Sequence, residues 1–259
     1  MPVILALGLA FVACSNGSEG PRAVSDDAAG DANPIATVEP LAGGAPPATD
    51  PPDPAELLPD LQPMATRELY IEGEGDARVL RFSTTVLNDG QGPLELVGEH
   101  RPDEGIIVAS QRTLLRDGSF IQREVGRFVF HPEHAHWHFQ DFTLLELWTL
   151  GVDGEPGGLA LSTGKSTFCA VDEVPEAPDA SEPAYFTCGD GVQGISAGWS
   201  DTYGAEIAGQ ELPLGALPDG EYVLKSVVDP VNRLAEADED NNALTERVRI
   251  AGAGIAVIE

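Results

Sequence analysis

Residues 127–142 read Arg127-Phe-Val-Phe-His131-Pro-Glu-His134-Ala-His136-Trp-His138-Phe-Gln-Asp-Phe142 and hold four of the five histidines of the chain. The alternation of residue types from Glu133 to Phe139 predicts an extended segment, whose side chains point to two faces in turn. A helix would separate the middle histidine from its neighbours, because only residues three or four apart share a helical face. The histidine face then holds His134, His136 and His138, and the apolar face, directed into the core, holds Ala135, Trp137 and Phe139.

Three imidazoles on one strand face form a set of nitrogen donors. Such a set suits copper or zinc and leaves coordination positions open for water or substrate. We assign His131 an outer position, where it orients the ligands without binding the metal. The alternative interpretation is a histidine-rich tract that is simply solvated. The alternation with Trp137 and Phe139 favours the metal site, because it gives each face of the strand its own role.

The chain is strongly acidic. It has 14 Lys and Arg residues against 43 Asp and Glu, a formal net charge of −29. A field of this sign repels nucleic acid and anionic lipid and attracts cationic ligands, including small amines and lysine-rich protein surfaces. The alternative is that the charge serves solubility alone.

The N-terminus indicates export. Residues 1–14 contain an apolar run that is too short for a stable membrane anchor but fits a signal-peptide core. Ala13-Cys14 resembles a bacterial lipoprotein cleavage and lipidation site, and an ordinary secretory signal is the alternative. Residues 15–55 are rich in Ala, Gly, Pro, Ser and Asp and predict a disordered tether. We therefore expect a cell-envelope or extracellular protein that meets a membrane only through a lipid on Cys14.

The remaining sequence predicts an all-β fold. Short β-rich segments separated by Gly- and Pro-containing turns are typical of an antiparallel β-sandwich, here a catalytic domain over 56–252 with long loops and a C-terminal tail over 253–259. Asp117-Gly118 predicts the turn of a hairpin. The predicted strands are Arg78–Val86, the two arms of the hairpin over 112–123, the histidine segment continuing to Trp148, Gly220–Val228 and Ala243–Ile250.

Two cysteines remain after Cys14. In an exported protein they are expected to form a disulfide, Cys169–Cys188. That bridge would draw the segment containing Lys165 toward the segment containing Tyr203. A pair of buried free thiols is the alternative.

Several motifs in series resemble the catalytic domain of the lysyl oxidase family, over roughly residues 57 to 250. The resemblance extends to Asp219–Leu224, to Asp229-Pro230 and to the acidic segment 236–242. The central motifs are His131-x-x-His134-x-His136-x-His138, Gly164-Lys-x-x-Phe-Cys169 and Gln193-Gly-Ile-Ser-x-Gly-Trp-x-Asp-Thr-Tyr-Gly204.

The resemblance implies an amine oxidase that converts primary amines, such as peptidyl lysine, to aldehydes with dioxygen, releasing hydrogen peroxide and ammonia. It implies that Lys165 and Tyr203 crosslink into lysine tyrosylquinone. Asp201, two residues before Tyr203, is our candidate for the general base. The implied copper ligands are His134, His136 and His138, and the implied calcium ligands are Asp60, the carbonyl of Leu61, Glu236, Asp238, Asn241 and Asn242.

The chain departs from animal members of the family by its few cysteines and by Glu-Leu-Pro-Leu after Gln210. These departures indicate a bacterial version and leave the substrate open. One rival interpretation is an exported metal-binding β-sandwich that does not oxidise anything. Another is a three-histidine metalloenzyme without the quinone, which would tolerate Lys165→Arg. For the acidic segment 236–242, the alternative is a solvated turn.

Overall fold

A computed structural model describes residues 53–258. The predicted signal peptide with Cys14 and almost all of the predicted tether lie outside that range. Within it, no helix is long and apolar enough to cross a membrane. The strands are Glu56–Leu57 (β1), Leu61–Pro63 (β2), Leu69–Glu72 (β3), Val79–Phe82 (β4), Thr84–Asn88 (β5), Leu94–Arg101 (β6), Ile106–Leu115 (β7), Phe120–His131 (β8), His136–Leu150 (β9), Pro156–Phe168 (β10), Val174–Pro175 (β11), Val192–Ile195 (β12), Trp199–Tyr203 (β13), Glu211–Pro213 (β14), Gly220–Val228 (β15), Ala243–Ala251 (β16) and Gly254–Ile258 (β17), with one 3-10 turn at Gly75–Ala77.

These strands form one large and two small sheets, which confirms the predicted all-β class. The ten-stranded sheet runs β12-β6-β7-β8-β9-β15-β16-β17, with β1 beside β7 and β10 beside β9. The small sheets run β11-β13-β5-β2 and β14-β4-β3. Neighbouring strands are antiparallel throughout these pairings.

Each small sheet contributes to a different hydrophobic core. The four-stranded sheet contributes Leu61 and Val86 to a core that also holds Phe128 and Phe139 of the large sheet. The three-stranded sheet contributes Leu80 to a second core around Leu147. Burial of apolar surface in these two cores is the main stabilising contribution to the sandwich. The first core is the one that borders the histidine segment.

The predicted strand Arg78–Val86 is wrong as a single element, because the chain changes sheets at Ser83. The residues before Ser83 form β4 and those after it form β5, in different small sheets. The Ser83 side-chain oxygen accepts the backbone N–H groups of Arg67 and Glu68, at 3.2 and 3.1 Å. These bonds hold the chain where it crosses, and the apolar alternation on both sides conceals the break.

The predicted hairpin is confirmed. Strands β7 and β8 pair from Leu114 opposite Phe120, and Gly118 adopts φ 86° in the turn. The C-terminal boundary is different from the prediction, since β17 pairs with β16 and adds a strand where a tail was expected.

The predicted disulfide Cys169–Cys188 is present, with Cα atoms 5.5 Å apart. Cys169 directly follows β10 and is buried in the first core. The Cys188 carbonyl accepts the N–H of Trp137 at 3.0 Å, so the bridge ties the end of β10 to the start of β9. The disulfide and this hydrogen bond together hold the end of the strand that carries Lys165 beside the histidine strand.

Candidate active site

The histidines converge at the hairpin between β8 and β9. His131 and His136 form the last residue pair of the two strands. The chain reverses over residues 132–135, and Ala135 adopts the left-handed conformation with φ 57°. The predicted extended segment is therefore wrong before His136, because His134 lies in the turn rather than on the strand.

The turn brings the same three histidines together by a different route. One ligand atom from each of His134, His136 and His138 lies within 4.8 Å of the others. The opposite face is apolar only in part: Phe139 is buried, Trp137 is half-buried against the core, and Ala135 is exposed at the turn. The prediction that Ala135 enters the core is wrong, because this residue belongs to the turn and not to the strand.

Hydrogen bonds orient two of the imidazoles. His134 Nε2 lies 3.1 Å from the Ala208 carbonyl, which can only accept, so this nitrogen carries the hydrogen. The neutral ring then has its lone pair on Nδ1. His138 Nδ1 lies 2.9 Å from the Thr167 hydroxyl. Such contacts on the outer nitrogen fix the ring and its tautomer at many metal sites.

Two nitrogens of this cluster lack the hydrogen-bond partners that buried polar atoms normally have, and two others face each other. His134 Nδ1 and His138 Nε2 face each other at 3.1 Å. His136 Nε2 and His131 Nδ1 are buried without a hydrogen-bond partner. Buried polar groups left unpaired destabilise the fold. A bound metal ion would satisfy this cluster, so the residues present fit a copper or zinc site.

The electrostatics of the cluster favour neutral imidazoles. Burial, with the neighbouring imidazoles, lowers the pKa of His138 to about 3. Burial also lowers the pKa of His131 and of His136, and the nearby His134 adds to both effects. Neutral imidazole is the form that binds a metal ion. The ring of His131 lies 4.3 Å from that of His134 and stacks 4.8 Å from that of His138, between centroids.

Tyr203 reaches this cluster from β13. Its hydroxyl lies 3.3 Å from His138 Nε2 and accepts the N–H of Cys169 at 2.9 Å. Its ring packs on Phe168, with centroids 4.1 Å apart. Burial raises the pKa of Tyr203, so the phenol keeps its proton at neutral pH. The structure thus places the predicted tyrosine against a predicted metal ligand.

Lys165 lies on β10 and is held elsewhere. Its Nζ is 3.7 Å from Asp141 Oδ2, whereas the Tyr203 hydroxyl is engaged by Cys169 and His138. The structure therefore does not join Lys165 to Tyr203. No sequence pattern pointed to Asp141. The one available sign was its position, which closes the quoted histidine stretch at Asp141-Phe142.

Asp201 precedes Tyr203 by two residues on β13, so the two side chains project to the same side of the strand. Its carboxyl is 3 % exposed and accepts the N–H of Val171 at 2.9 Å. Burial raises its pKa to about 8. The residue is therefore a carboxyl group of unusually high basicity next to the candidate site.

Comparison with known proteins identifies the family. Residues 112–259 match the family model for lysyl oxidase. The chain belongs to the lysyl oxidase family. It is 30 % identical over 180 residues to lysyl oxidase homolog 2 of Gallus gallus and 29 % identical over 179 residues to lysyl oxidase homolog 4 of Homo sapiens. Each alignment covers 69 % of this chain and 19 % of the relative, so the chain spans about a fifth of the length of these relatives.

A second cluster of side chains gathers oxygen atoms around Glu236. Glu236 is buried, and its carboxylate accepts the Leu61 N–H at 2.7 Å and the Asn242 side-chain amide at 2.9 Å. The Asn241 amide donates to Asp60 at 2.8 Å. The side-chain Oδ1 atoms of Asn241 and Asn242 are buried, and neither accepts a hydrogen bond. Burial raises the pKa of Glu236 to about 9, because no cation faces it among these contacts.

This oxygen cluster is looser than the histidine cluster. In residues 53–258, the His, Cys, Asp or Glu side chains whose ligand atoms come close enough together to share one metal ion are those of the three histidines. Asp238 is exposed and accepts the N–H of Asp240 at 2.9 Å. The fold thus brings Asp60 and Leu61 to the segment 236–242, from which they are distant in sequence, but Asp60, Glu236 and Asp238 do not converge as tightly as the histidines.

We predict that the metal-free full chain binds one Cu²⁺ ion and that His138→Ala abolishes this binding, because it removes a central donor. Thr167→Val should weaken the affinity about 10–100-fold, as expected when a ligand loses its orienting partner. Metal content and titration calorimetry measure both. His100→Ala is the matched control, because His100 pairs with Asp190 outside the cluster. Wild-type copper binding by His138→Ala would contradict the assignment.

A second prediction concerns pH and Asp201. The folded protein holds the Asp201 proton up to about pH 8, whereas the unfolded chain releases it near the ordinary pKa of 3.8. Unfolding therefore releases a proton between these values, and the Asp201 contribution to the free energy of unfolding falls as pH rises. Asparagine does not titrate, so Asp201→Asn does not lose stability in this way. The melting temperature of the metal-free mutant, relative to that of metal-free wild type, should therefore increase from pH 5 to pH 8. Asp153→Asn, at an exposed site, should show no such trend. Parallel curves for wild type and Asp201→Asn would refute the assignment.

Proposed function

We propose that this chain is a copper-dependent amine oxidase that converts primary amines to aldehydes, with release of hydrogen peroxide and ammonia. We propose further that its organic cofactor is lysine tyrosylquinone, made from Lys165 and Tyr203. The observation that carries this proposal is the 3.3 Å contact between the Tyr203 hydroxyl and His138 Nε2, in a histidine cluster where His136 Nε2 and His131 Nδ1 are buried without a hydrogen-bond partner. When bound, copper and the quinone supply redox chemistry with dioxygen and an electron sink for the amine.

The histidines His134, His136 and His138 would hold the copper ion. Ala208 and Thr167 orient two of these rings from outside. Membership of the lysyl oxidase family supports copper as the metal, since imidazole donors alone suit both copper and zinc. Burial lowers the pKa of His136 and His138 and keeps these two imidazoles ready to bind without first losing a proton.

Tyr203 and Lys165 have separate tasks before they are joined. The core holds the Tyr203 phenol protonated and fixed between Cys169 and His138. Lys165 is two residues from Thr167 on β10, so both project to the histidine side of that strand. The amine would have to leave Asp141 to reach the ring. Its side chain is 36 % exposed, which gives it room for that movement.

Asp201 is our proposed general base, which would accept the proton from the α-carbon of the substrate. Its burial and raised pKa support this role, because a carboxylate in an apolar site is a stronger base than one in water. The bond from the Val171 N–H fixes one carboxylate oxygen in place.

The proposed substrates are cationic amines or lysine-bearing proteins, with dioxygen as the second substrate. The net charge of −29 supports attraction of such substrates and disfavours nucleic acid as a partner. The disulfide supports an exported, envelope or extracellular location. Lipid attachment at Cys14 stays a proposal from the sequence, since that residue lies outside the described range.

The leading alternative is an exported β-sandwich that binds a metal ion without oxidising anything. The unpaired imidazole nitrogens support it as well as they support the oxidase. The Lys165 and Tyr203 side chains distinguish the two, because a binding module needs neither. A three-histidine metalloenzyme without the quinone would need the histidines and would tolerate Lys165→Arg.

We also propose a calcium site formed by Asp60, the Leu61 carbonyl, Glu236, Asp238 and the side-chain oxygens of Asn241 and Asn242. The two buried asparagine oxygens without donors support it, since calcium binds carbonyl and carboxylate oxygens. Burial raises the pKa of Glu236, and a cation bound beside its carboxyl group would favour the ionised form. The competing interpretation is an acidic turn that is partly solvated.

Copper loading in air should produce a quinone in the wild-type protein. We expect visible absorption and a coloured phenylhydrazine adduct, because Tyr203 and Lys165 can then be joined. Lys165→Ala, Lys165→Arg and Tyr203→Phe should each give none while keeping bound copper. Lys225→Ala, at the only other lysine of the chain, and Tyr70→Phe, at an exposed tyrosine, are matched controls that should react like wild type.

A wild-type protein that binds copper but stays unreactive would favour the binding module. Amine oxidation that survives Lys165→Arg would favour the three-histidine enzyme without a quinone. The two outcomes are separated by assaying peroxide release with a simple primary amine alongside the adduct.

A chelator selective for calcium should lower the melting temperature of wild type, because it would leave the oxygens of the Glu236 cluster unpaired. Asp238→Ala should remove this sensitivity, since Asp238 is exposed and its loss does not disturb the core. Asp153→Ala, in a distant exposed turn, is the matched control and should remain sensitive. Calorimetric scans with and without calcium measure the shift. An unchanged melting temperature in wild type would indicate a solvated turn.

A further inference from the structure

Asp141 has an unusual backbone conformation in the middle of β9. Its φ is 58°, in the left-handed region that non-glycine residues rarely adopt within a strand. On the neighbouring β10, Ser166 and Phe168 pair with Thr143 and Phe139, so two steps along β10 correspond to four along β9. The extra residues form a bulge, and a bulge redirects side chains. The strained backbone at Asp141 therefore accompanies a bulge that sets the direction of its carboxylate.

That carboxylate is buried between two cations. Asp141 is 8 % exposed, and its Oδ2 lies 3.3 Å from Arg233 Nη1 and 3.7 Å from Lys165 Nζ. A buried carboxylate without a cation would be strongly destabilising. The two cations differ in mobility, because the Lys165 side chain is 36 % exposed and that of Arg233 only 21 %.

Arg233 is fixed by its own loop. The Asp229 carboxylate accepts the N–H groups of Arg233 and Leu234, both at 2.7 Å. The Asp229 N–H donates to the carbonyl of Phe142, the residue after Asp141, at 2.8 Å. Leu234 is fully buried in the first core. The loop thus docks on the bulge itself and delivers the guanidinium to the carboxylate.

Lys165 is close along β10 to the contacts that reach the histidines and Tyr203. Thr167, two residues along, contacts His138, and His138 contacts Tyr203. The salt bridge to Asp141 restrains a long side chain that would otherwise extend into solvent, because lysine has many rotamers. The restraint keeps the amine near the place where the proposed cofactor would form.

We propose that Asp141 is a positioning residue that holds the Lys165 amine beside the candidate active site, with Arg233 orienting the carboxylate. Its role in cofactor formation rests on the proposed function. The second cation explains how Lys165 can leave: when its side chain moves away, Arg233 still neutralises the buried Asp141. A carboxylate paired with Lys165 alone would resist that release.

The first test uses metal-free protein and does not depend on the cofactor. The whole chain has two lysines, Lys165 and Lys225, so reductive methylation followed by mass spectrometry gives the reactivity of one against the other. In Asp141→Asn, Lys165 should methylate severalfold faster than in wild type relative to Lys225, because its ammonium form has lost its partner. Asparagine keeps the shape and tolerates the left-handed conformation. Arg233→Gln leaves Lys165 as the only cation facing the carboxylate, so Lys165 should methylate more slowly than in wild type; this variant serves if Asp141→Asn does not fold.

The second test measures quinone formation after copper loading in air. Asp141→Asn should form phenylhydrazine-reactive quinone severalfold more slowly than wild type, with equal copper content and an intact disulfide. Glu221→Gln is the control, because Glu221 pairs with arginines 247 and 249 on the surface and should not change the rate. Arg233→Lys keeps the charge and should restore most of the wild-type rate relative to Arg233→Gln.

Unchanged Lys165 reactivity in both Asp141→Asn and Arg233→Gln would overturn the proposal. A second outcome would also overturn it. If Asp141→Asn folds and Lys165 methylates faster, but the quinone still forms at the wild-type rate, the restraint has no role in cofactor formation. If wild type forms no quinone at all, the proposed function fails, while the methylation rates still decide whether Asp141 holds Lys165.

Discussion

The buried hydroxyl of Tyr203 is the group on which the candidate site depends. A phenol removed from water needs hydrogen-bond partners, and its partners here are the Cys169 N–H and His138 Nε2. Those two groups lie at the end of β10 and on β9, and the Cys169–Cys188 disulfide ties the same strands together. Satisfying one hydroxyl therefore requires three strands to meet in one arrangement. That arrangement also brings the imidazoles into a cluster.

Local signals made part of this structure predictable. Sequence predicted the turn at Asp117-Gly118 and the strand Gly220–Val228, because each depends on residues that are adjacent in the chain. It also predicted the disulfide, because only one pair of cysteines follows Cys14. The convergence of three histidines was also predictable, but its geometry was not. A turn over 132–135 has no Gly or Asn to mark it, and Ala135 takes the left-handed conformation only because the strands on both sides impose it.

Breaks in β-structure were the features that sequence could not show. Period-two alternation continues unchanged across Ser83, where the chain moves between sheets. At Asp141, where β9 bulges, the polar pair Gln140-Asp141 interrupts the alternation but does not show which partners the side chain meets. In both places the conformation is set by partners distant in sequence: backbone N–H groups near residue 67 for Ser83, and Lys165 with Arg233 for Asp141. A bulge points a side chain in a direction that regular strand alternation would not allow, so residues of a candidate site are expected at such positions.

Three of the four buried carboxyl groups in residues 53–258 show how an acidic chain manages its charge. Asp141 has two cations from the protein, whereas the bonds to Asp201 and Glu236 come from neutral N–H groups. Burial accordingly raises the pKa of Asp201 to about 8 and of Glu236 to about 9, so each stays protonated well above the usual range. With 14 basic residues against 43 acidic ones, the chain has few cations to place in its interior. Metal ions at or near these carboxyl groups would supply that missing positive charge, and the ionised form would then contribute to stability rather than oppose it.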